Sequence, residues 1–244
     1  VAHAYFAEHL DDVHTGDVVE VTGEEARHAV SVARLRAGER IDLLDGRGTR
    51  VAATVLEADR DRFTARAETD ALLEPEPAPR IQLVQALAKG GRDELALQAA
   101  VELGIDEVVP WQSQRSVVKW QGEKQRKQRA RWQTIAREAS KQALRARVPE
   151  VRDVVSTKQL AGFAESTTLV VLDPVAERTL TEFSLTGSDS FALVVGPEGG
   201  IDAAEFALLE EAGAVRCRLG TNVLRTSTAG PAALATLLTR LGRW

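Results

Sequence analysis

Between residues 18 and 67 apolar and polar positions alternate in short runs, VVEVT, IDLLD, RVAATVLEA and RFTARA, the period of half-buried strands. One stretch breaks the alternation: EEARHAVSVARLR, residues 24–36, has helical spacing, and Asp45-Gly46-Arg47-Gly48 carries the glycines of a hairpin turn. After residue 80 the pattern changes. IQLVQAL, DEVVPW, TTLVVLDP and FALVVG are strand-like apolar runs without strict alternation, VRCRLG reads as a further strand, and stretches of helical period separate them: RDELALQAAVELG, KQRKQRARWQTIAREASKQALR, DAAEFALLEEAG and STAGPAALATLLTRL. In the second of these, Trp132, Ile135, Ala136, Ala139 and Ala143 form one stripe. Strands apolar on both faces that alternate with helices predict a largely parallel sheet covered by helices, an α/β layer fold. Between the halves, ALLEPEPAPR places Pro75, Pro77 and Pro79 at alternate positions, which can continue neither helix nor sheet. The predicted organisation is a small β-rich domain over 1–72, a proline-rich linker over 73–80 and an α/β domain over 81–244.

Composition narrows the class. With 244 residues and 44% hydrophobic side chains the chain can build two cores. No apolar run approaches the roughly 20 residues that cross a bilayer, and VAHAYFAEHLDD lacks a basic, apolar, cleavable signal pattern, so a cytoplasmic protein with no membrane partner is expected. The single cysteine, Cys217, can form no internal disulfide and is expected to be a buried thiol; all four histidines, His3, His9, His14 and His28, lie in the N-terminal domain, and no metal site is expected.

The net charge of -5 is unevenly placed: residues 115–147 hold 11 basic and 2 acidic side chains. A concentrated positive field attracts a polyanion whatever the total charge. Candidate phosphate contacts are Arg115, Lys119, Lys124, Arg126 and Lys127, followed by Arg129, Arg131 and Arg137, with Lys89 upstream and Arg34 and Arg36 beside His28. A solvated helix face is the alternative. Trp120 is the candidate for stacking on a base, and Trp132 for the core.

The candidate chemistry lies in residues 193–230, LVVGPEGGIDAAEFALLEEAGAVRCRLGTNVLRTSTAG. In open α/β sheets ligands sit beyond the carboxyl ends of the strands, and two glycine-bearing loops follow strands here. In GPEGG, Gly196, Gly199 and Gly200 allow the backbone to approach a ligand, Pro197 stiffens the turn, and Asp202 with Glu205 makes a capping box. LGTNVLRTSTAG ends a strand near Gly220 and opens a helix expected to be capped by Thr226 or Ser227, with Arg225 just before it. LVVLDP ends a third strand. Such loops can hold an adenine through backbone hydrogen bonds and apolar walls; tight turns and caps with no ligand are the alternative. Neither G-x-G-x-x-G nor G-x-x-x-x-G-K-[ST] is present.

The order GPEGGI…E followed by LG..VLRT.TA resembles the SPOUT class of S-adenosylmethionine-dependent RNA methyltransferases. Within it the chain is similar to the ribosomal RNA small subunit methyltransferase E family, which methylates N3 of a uridine in 16S rRNA, uracil 1498. The similarity covers nearly the whole chain. RHAVSVARLRAGERIDLLDGRG looks like that family's PUA-like RNA-binding β-barrel, ALAKGGRDELALQAAVELGIDEVVPWQSQRS its K-G-(D/E)-(K/R), E-L-G-V and S-E-R-S segments, and RWQTIAREASKQALRARVPEV its W..I..EA.EQ..R..VP stretch. Departures are Thr221 and Asn222 where the family has Pro and Arg, Ser227 where it has Glu, Gln114 in S-E-R-S, and Lys141 in E-Q.

The resemblance implies a trefoil-knotted C-terminal domain, a homodimer with the donor pocket beside the subunit interface, and 16S rRNA or the small ribosomal subunit as partner. It implies that Leu172, Gly196, Glu198, Gly200, Leu219, Gly220, Val223, Leu224 and Thr226 hold S-adenosylmethionine. Uridine N3 carries a proton, so the site must stabilise charge developing on the ring. Arg225 is the candidate cation, Arg115 a second one, and Glu198 the candidate proton acceptor. A SPOUT enzyme acting on another base or a ribose 2'-oxygen, or a non-catalytic RNA-binding relative, are the alternatives.

Overall fold

The computed structural model describes residues 3–244. It divides into two compact units, one formed by residues up to Glu76 with Ser140–Val148, the other by Pro77–Ala139 with Pro149–Trp244.

The first unit contains β1 (His3–Phe6), β2 (Val18–Thr22), α1 (Gly23–Ser31), β3 (Arg40–Leu44), β4 (Thr49–Asp59), β5 (Arg62–Ala67) and β6 (Leu72–Leu73). The sheet order is β1-β3-β4-β5-β2, with β6 on β4. All pairings are antiparallel except β1 with β3. Period-2 alternation does what it predicts: Thr49, Val51, Ala53 and Val55 of β4 are buried while their neighbours are half-exposed. They pack with Tyr5, Leu10, Ile41, Leu43, Phe63 and Ala65; the Tyr5 and Phe63 rings meet edge to face at 5.5 Å.

Two features of this unit correct the linear reading. The helix expected through Arg36 stops at Ser31. Arg34 turns left-handed at φ 59°, the Leu35 N–H returns to the Ala29 carbonyl, and Leu35 is buried beneath the turn, a helix end sealed by an apolar contact. Residues 140–148 also belong here rather than to a continuous C-terminal domain. Ala146, Leu144 and Val148 pack with Phe6 and Leu44, Arg50 donates to the Leu144 carbonyl at 2.7 Å, and Lys141 pairs with Glu25 at 3.3 Å.

The second unit contains β7 (Arg80–Ala86), α2 (Arg92–Leu103), β8 (Glu107–Trp111), α3 (Glu123–Gln142, whose last turn falls in the first unit), β9 (Glu150–Val151), α4 (Thr157–Ala161), β10 (Thr168–Leu172), β11 (Ser190–Val195), α5 (Ala203–Glu211), β12 (Val215–Cys217) and α6 (Thr226–Arg240). Every pairing is parallel and the order is β12-β10-β11-β7-β8-β9. Central strands are buried on both faces, which explains their unbroken apolar runs. One face packs Val84, Val109, Trp111, Val171 and Val194 against Leu160 and Leu209 of α4 and α5. The other carries α6, which contacts α2, β7 and β11. The chain therefore leaves the edge strand β12 and returns over the sheet centre through the loop before α6. This return brings the second glycine loop beside the first.

Trp120 is corrected. It is 4% exposed and meets Trp132 edge to face at 5.0 Å, so both indoles are core and neither is open to a base.

Candidate active site

Parallel strands all present their carboxyl ends at the same edge of a sheet, and β10, β11 and β12 are neighbours or next neighbours there. The loops that follow them enclose a cavity of about 470 Å³, within the range of small-molecule sites. Leu172 ends β10 and Asp173 and Pro174 follow it; Val195 ends β11, followed by Gly196 through Glu198 with Gly200 and Ile201; Cys217 ends β12, followed by Leu219, Gly220 and Asn222 through Thr226. All nine residues proposed to hold the methyl donor line this cavity, and so does Arg225. Residues missed in the sequence complete the wall, notably Arg92, Asp173, Phe206 and Asn222. Asn222 faces the cavity, whereas Thr221 and Ser227 are not among the lining residues.

The two glycine loops are tied together by one hydroxyl. Thr226 Oγ1 donates to the Gly196 carbonyl at 2.8 Å and accepts from Gln85 Nε2 at 2.9 Å. Gln85 is fully buried at the end of β7, so the end of this central strand sets where both loops stand. Thr226 is accordingly not the side-chain cap expected; Arg225 occupies the N-cap position, extended at φ -66° and ψ 153°, and neither Thr226 nor Ser227 caps the helix. Arg225 is exposed, and no protein partner holds its guanidinium among the described residues.

The first loop is built as the D-x-x-E spacing predicts. Asp202 and Glu205 form a reciprocal capping box on α5, and buried Glu205 also accepts from the Gln114 N–H at 2.9 Å. Arg115 donates to the Gly199 carbonyl and to Asp202, both at 3.1 Å. Arg115 thus braces the outside of GPEGG and does not line the cavity.

Glu198 lines the cavity, and one of its oxygens accepts from the Lys89 N–H and from Arg92 Nη1, each at 2.9 Å. Burial alone raises the Glu198 pKa, but the backbone amides of Glu198 and Lys89 and the Arg92 guanidinium outweigh it and hold the carboxyl below its usual range. Asp173, also in the cavity lining, is paired with Arg216 Nε at 2.8 Å, and Arg216 lies over the Phe206 ring at 4.4 Å. Burial pushes the Cys217 thiol up, against a smaller opposing effect of Arg178, which leaves a neutral thiol in the wall.

Of the basic residues, Arg34 and Arg36 are exposed on the first unit, and Lys89, Lys119, Lys124, Arg126 and Lys127 on the second. The long helix is less free than its charge suggests. Arg129 pairs with Glu150 and Asp153, Arg131 with Glu94, and Arg126 with Glu123. Lys119 donates to the Ser113 carbonyl at 3.1 Å. Lys124 and Lys127 have no ion-pair partner among the described residues. Among those residues no helix is long and apolar enough to cross a membrane.

Comparison with known proteins accounts for both units. An RNA methyltransferase domain matches residues 74–238 and an RNA methyltransferase PUA domain matches residues 21–68. Ribosomal RNA small subunit methyltransferase E of Mycobacterium bovis is 39% identical over 249 residues, covering 100% of this chain and 94% of its own. The chain belongs to that family. The Bacillus subtilis member is 32% identical, covering 89% of this chain and 88% of its own. The structure of the Neisseria gonorrhoeae member bound to S-adenosyl methionine superposes with a TM-score of 0.86 at 28% identity over 98% of each chain. The SpoU methyltransferase AviRb of Streptomyces viridochromogenes, at 13% identity, TM-score 0.50, and coverage of 99% of this chain and 83% of its own, shares the fold alone. The fold is that of the SPOUT methyltransferases with an N-terminal PUA-like domain.

Proposed function

We propose that this chain transfers a methyl group from S-adenosylmethionine to N3 of a uridine in 16S rRNA of the small ribosomal subunit, and that it acts as a homodimer. The observation that carries the reading is a single cavity in which apolar walls, exposed loop backbone and an arginine without a protein partner among the described residues meet. An adenosyl group suits that wall. Leu172, Leu219, Ile201 and Phe206 offer apolar surface, and a Cβ added at Gly200 or Gly220 would meet nothing within 4 Å, so the backbone there is open to a ligand. The bound donor supplies an electrophilic methyl on a sulfonium.

The chain's own part is alignment and charge. The Gln85–Thr226–Gly196 chain fixes the two loops, and Arg115 with the Asp202–Glu205 box holds the first loop from outside. Arg225 faces the cavity with its guanidinium free to donate to a uracil carbonyl, where negative charge gathers as N3 loses its proton. The N-terminal unit and Lys124 with Lys127 contact the RNA backbone in this reading.

Calorimetric titration with S-adenosylhomocysteine tests the donor site, with binding at about one per chain expected; folded protein that does not bind would end the enzyme reading. Incubation with small subunits from a strain lacking the modification, followed by mapping, tests the target. The methyl is expected on uridine N3 of 16S rRNA, and a label on a ribose, another base or another RNA would overturn the assignment.

A further inference from the structure

We propose that Arg92 is a second cation acting directly on the substrate base, and that Glu198 orients Arg92 rather than accepting the N3 proton. The inference rests on the uridine reading above. Arg92 and Glu198 both line the cavity, at the start of α2 and in the first glycine loop. Their contact is specific: Arg92 Nη1 lies 2.9 Å from Glu198 Oε1, the oxygen that also accepts the Lys89 N–H. No other hydrogen-bond or ion-pair partner holds the Arg92 guanidinium among the described residues, and its side chain is 42% exposed. One edge is therefore anchored and the others are open donors.

A carboxylate that receives a backbone N–H and a guanidinium is a stabilised anion and a weak base near neutral pH. What it does well is hold an arginine in one orientation. The reacting anion needs such help at two places. When N3 gives its proton to water, the charge spreads over the carbonyl oxygens on either side of N3; N3 then bonds to the methyl carbon, the sulfur–methyl bond breaks, and its electron pair stays on sulfur. Two arginines in one cavity, Arg225 and Arg92, match two carbonyls.

Single-turnover methylation of unmodified small subunits, with S-adenosylhomocysteine affinity measured in parallel, tests this in the full chain. Arg92→Ala is expected to slow transfer by roughly 100-fold while donor affinity stays within about two-fold, and Arg92→Lys is expected to recover part of the rate. Glu198→Gln keeps a carbonyl oxygen for Lys89 and Arg92 but loses the charge that holds Arg92, so transfer is expected to fall less than in Arg92→Ala and to keep the parent's pH profile; abolished transfer at every pH with donor affinity retained would make Glu198 the base and overturn the assignment. A purely structural role is separated by substrate acidity. Fluorine at C5 makes N3 more acidic, so subunits carrying 5-fluorouridine should shrink the Arg92→Ala deficit. An equal deficit on both substrates, an unaltered rate, or a loss explained by donor affinity would each sink the proposal. Failure of the underlying reading looks different. If the unmutated protein methylates something other than uridine N3, the target is wrong, and the Arg92→Ala and Arg92→Lys rates on that product still decide whether Arg92 acts.

Discussion

Arg225 and Thr226 are adjacent in sequence and opposite in role. Thr226 is buried and uses its hydroxyl twice inside the fold; Arg225, one residue earlier, lines the cavity, is exposed, and has no protein partner for its guanidinium among the described residues. The LRT order therefore couples a fixed hydroxyl to a free cation, and the position of the cation is inherited from Gln85 through Thr226. Removing the cation should leave that scaffold intact. Arg225→Ala is expected to lower the rate of methyl transfer by about 100- to 1,000-fold, the scale for one preorganised donor to a developing anion, with S-adenosylhomocysteine affinity nearly unchanged. Single-turnover kinetics beside calorimetry checks both halves, and an undiminished rate would remove Arg225 from the chemistry. The family departure at Lys141 is likewise explained locally: it meets Glu25 at 3.3 Å with both side chains mostly buried, so the cation has a partner.

At the scale of elements, α6 determines how the second loop approaches the first, and its seating depends on Gly230. A Cβ there would lie 2.8 Å from Leu83 Cδ1 and 3.3 Å from Val195 Cγ2. Leu83 is fully buried in β7, and Val195 immediately precedes Gly196. Two effects compete in Gly230→Ala. Helix propensity gains about 1 kcal/mol, while overpacking a closed core costs about 1–3 kcal/mol. The cost should win because Leu83 is fully buried and Val195 also stands close, so the added methyl must displace core atoms on two strands, and the strain is delivered to the strand end that carries the donor loop. The expected outcome is a lower denaturation midpoint with an unchanged m-value, accompanied by weaker S-adenosylhomocysteine binding; a midpoint equal to or above the parent's would show that the helix can lift without cost.

Over the whole molecule, the sequence shows what is local and misses what topology assembles. Apolar runs without alternation identify β7, β8, β10 and β11 because burial on both faces leaves a compositional trace. The glycine loops are legible because backbone approach demands residues without side chains. The parallel pairing of β1 with β3 leaves no such trace, and nor does the return of residues 140–148 to the first unit, because both join segments far apart in the chain. Arg92 and Asp173 escaped for the same reason: each reads as an ordinary helix start or strand end until the sheet order places it at the cavity. The basic segment shows the converse, since a count of charges does not reveal which are neutralised. Arg129 and Arg131 have acidic partners in the fold, whereas Lys124 and Lys127 are exposed without one among the described residues. A phosphate that displaces counterions contributes about 0.7 to 0.9 to the slope of log affinity against log salt. Replacing Lys124 and Lys127 together by alanine should therefore flatten the slope for 16S rRNA by roughly 1.4 to 1.8, and replacing Arg129 and Arg131 should flatten it less, because acidic neighbours already compensate those charges. Binding titrations over a range of salt concentrations separate the two, and equal slopes for the lysine variant and the parent would take this helix face off the RNA surface.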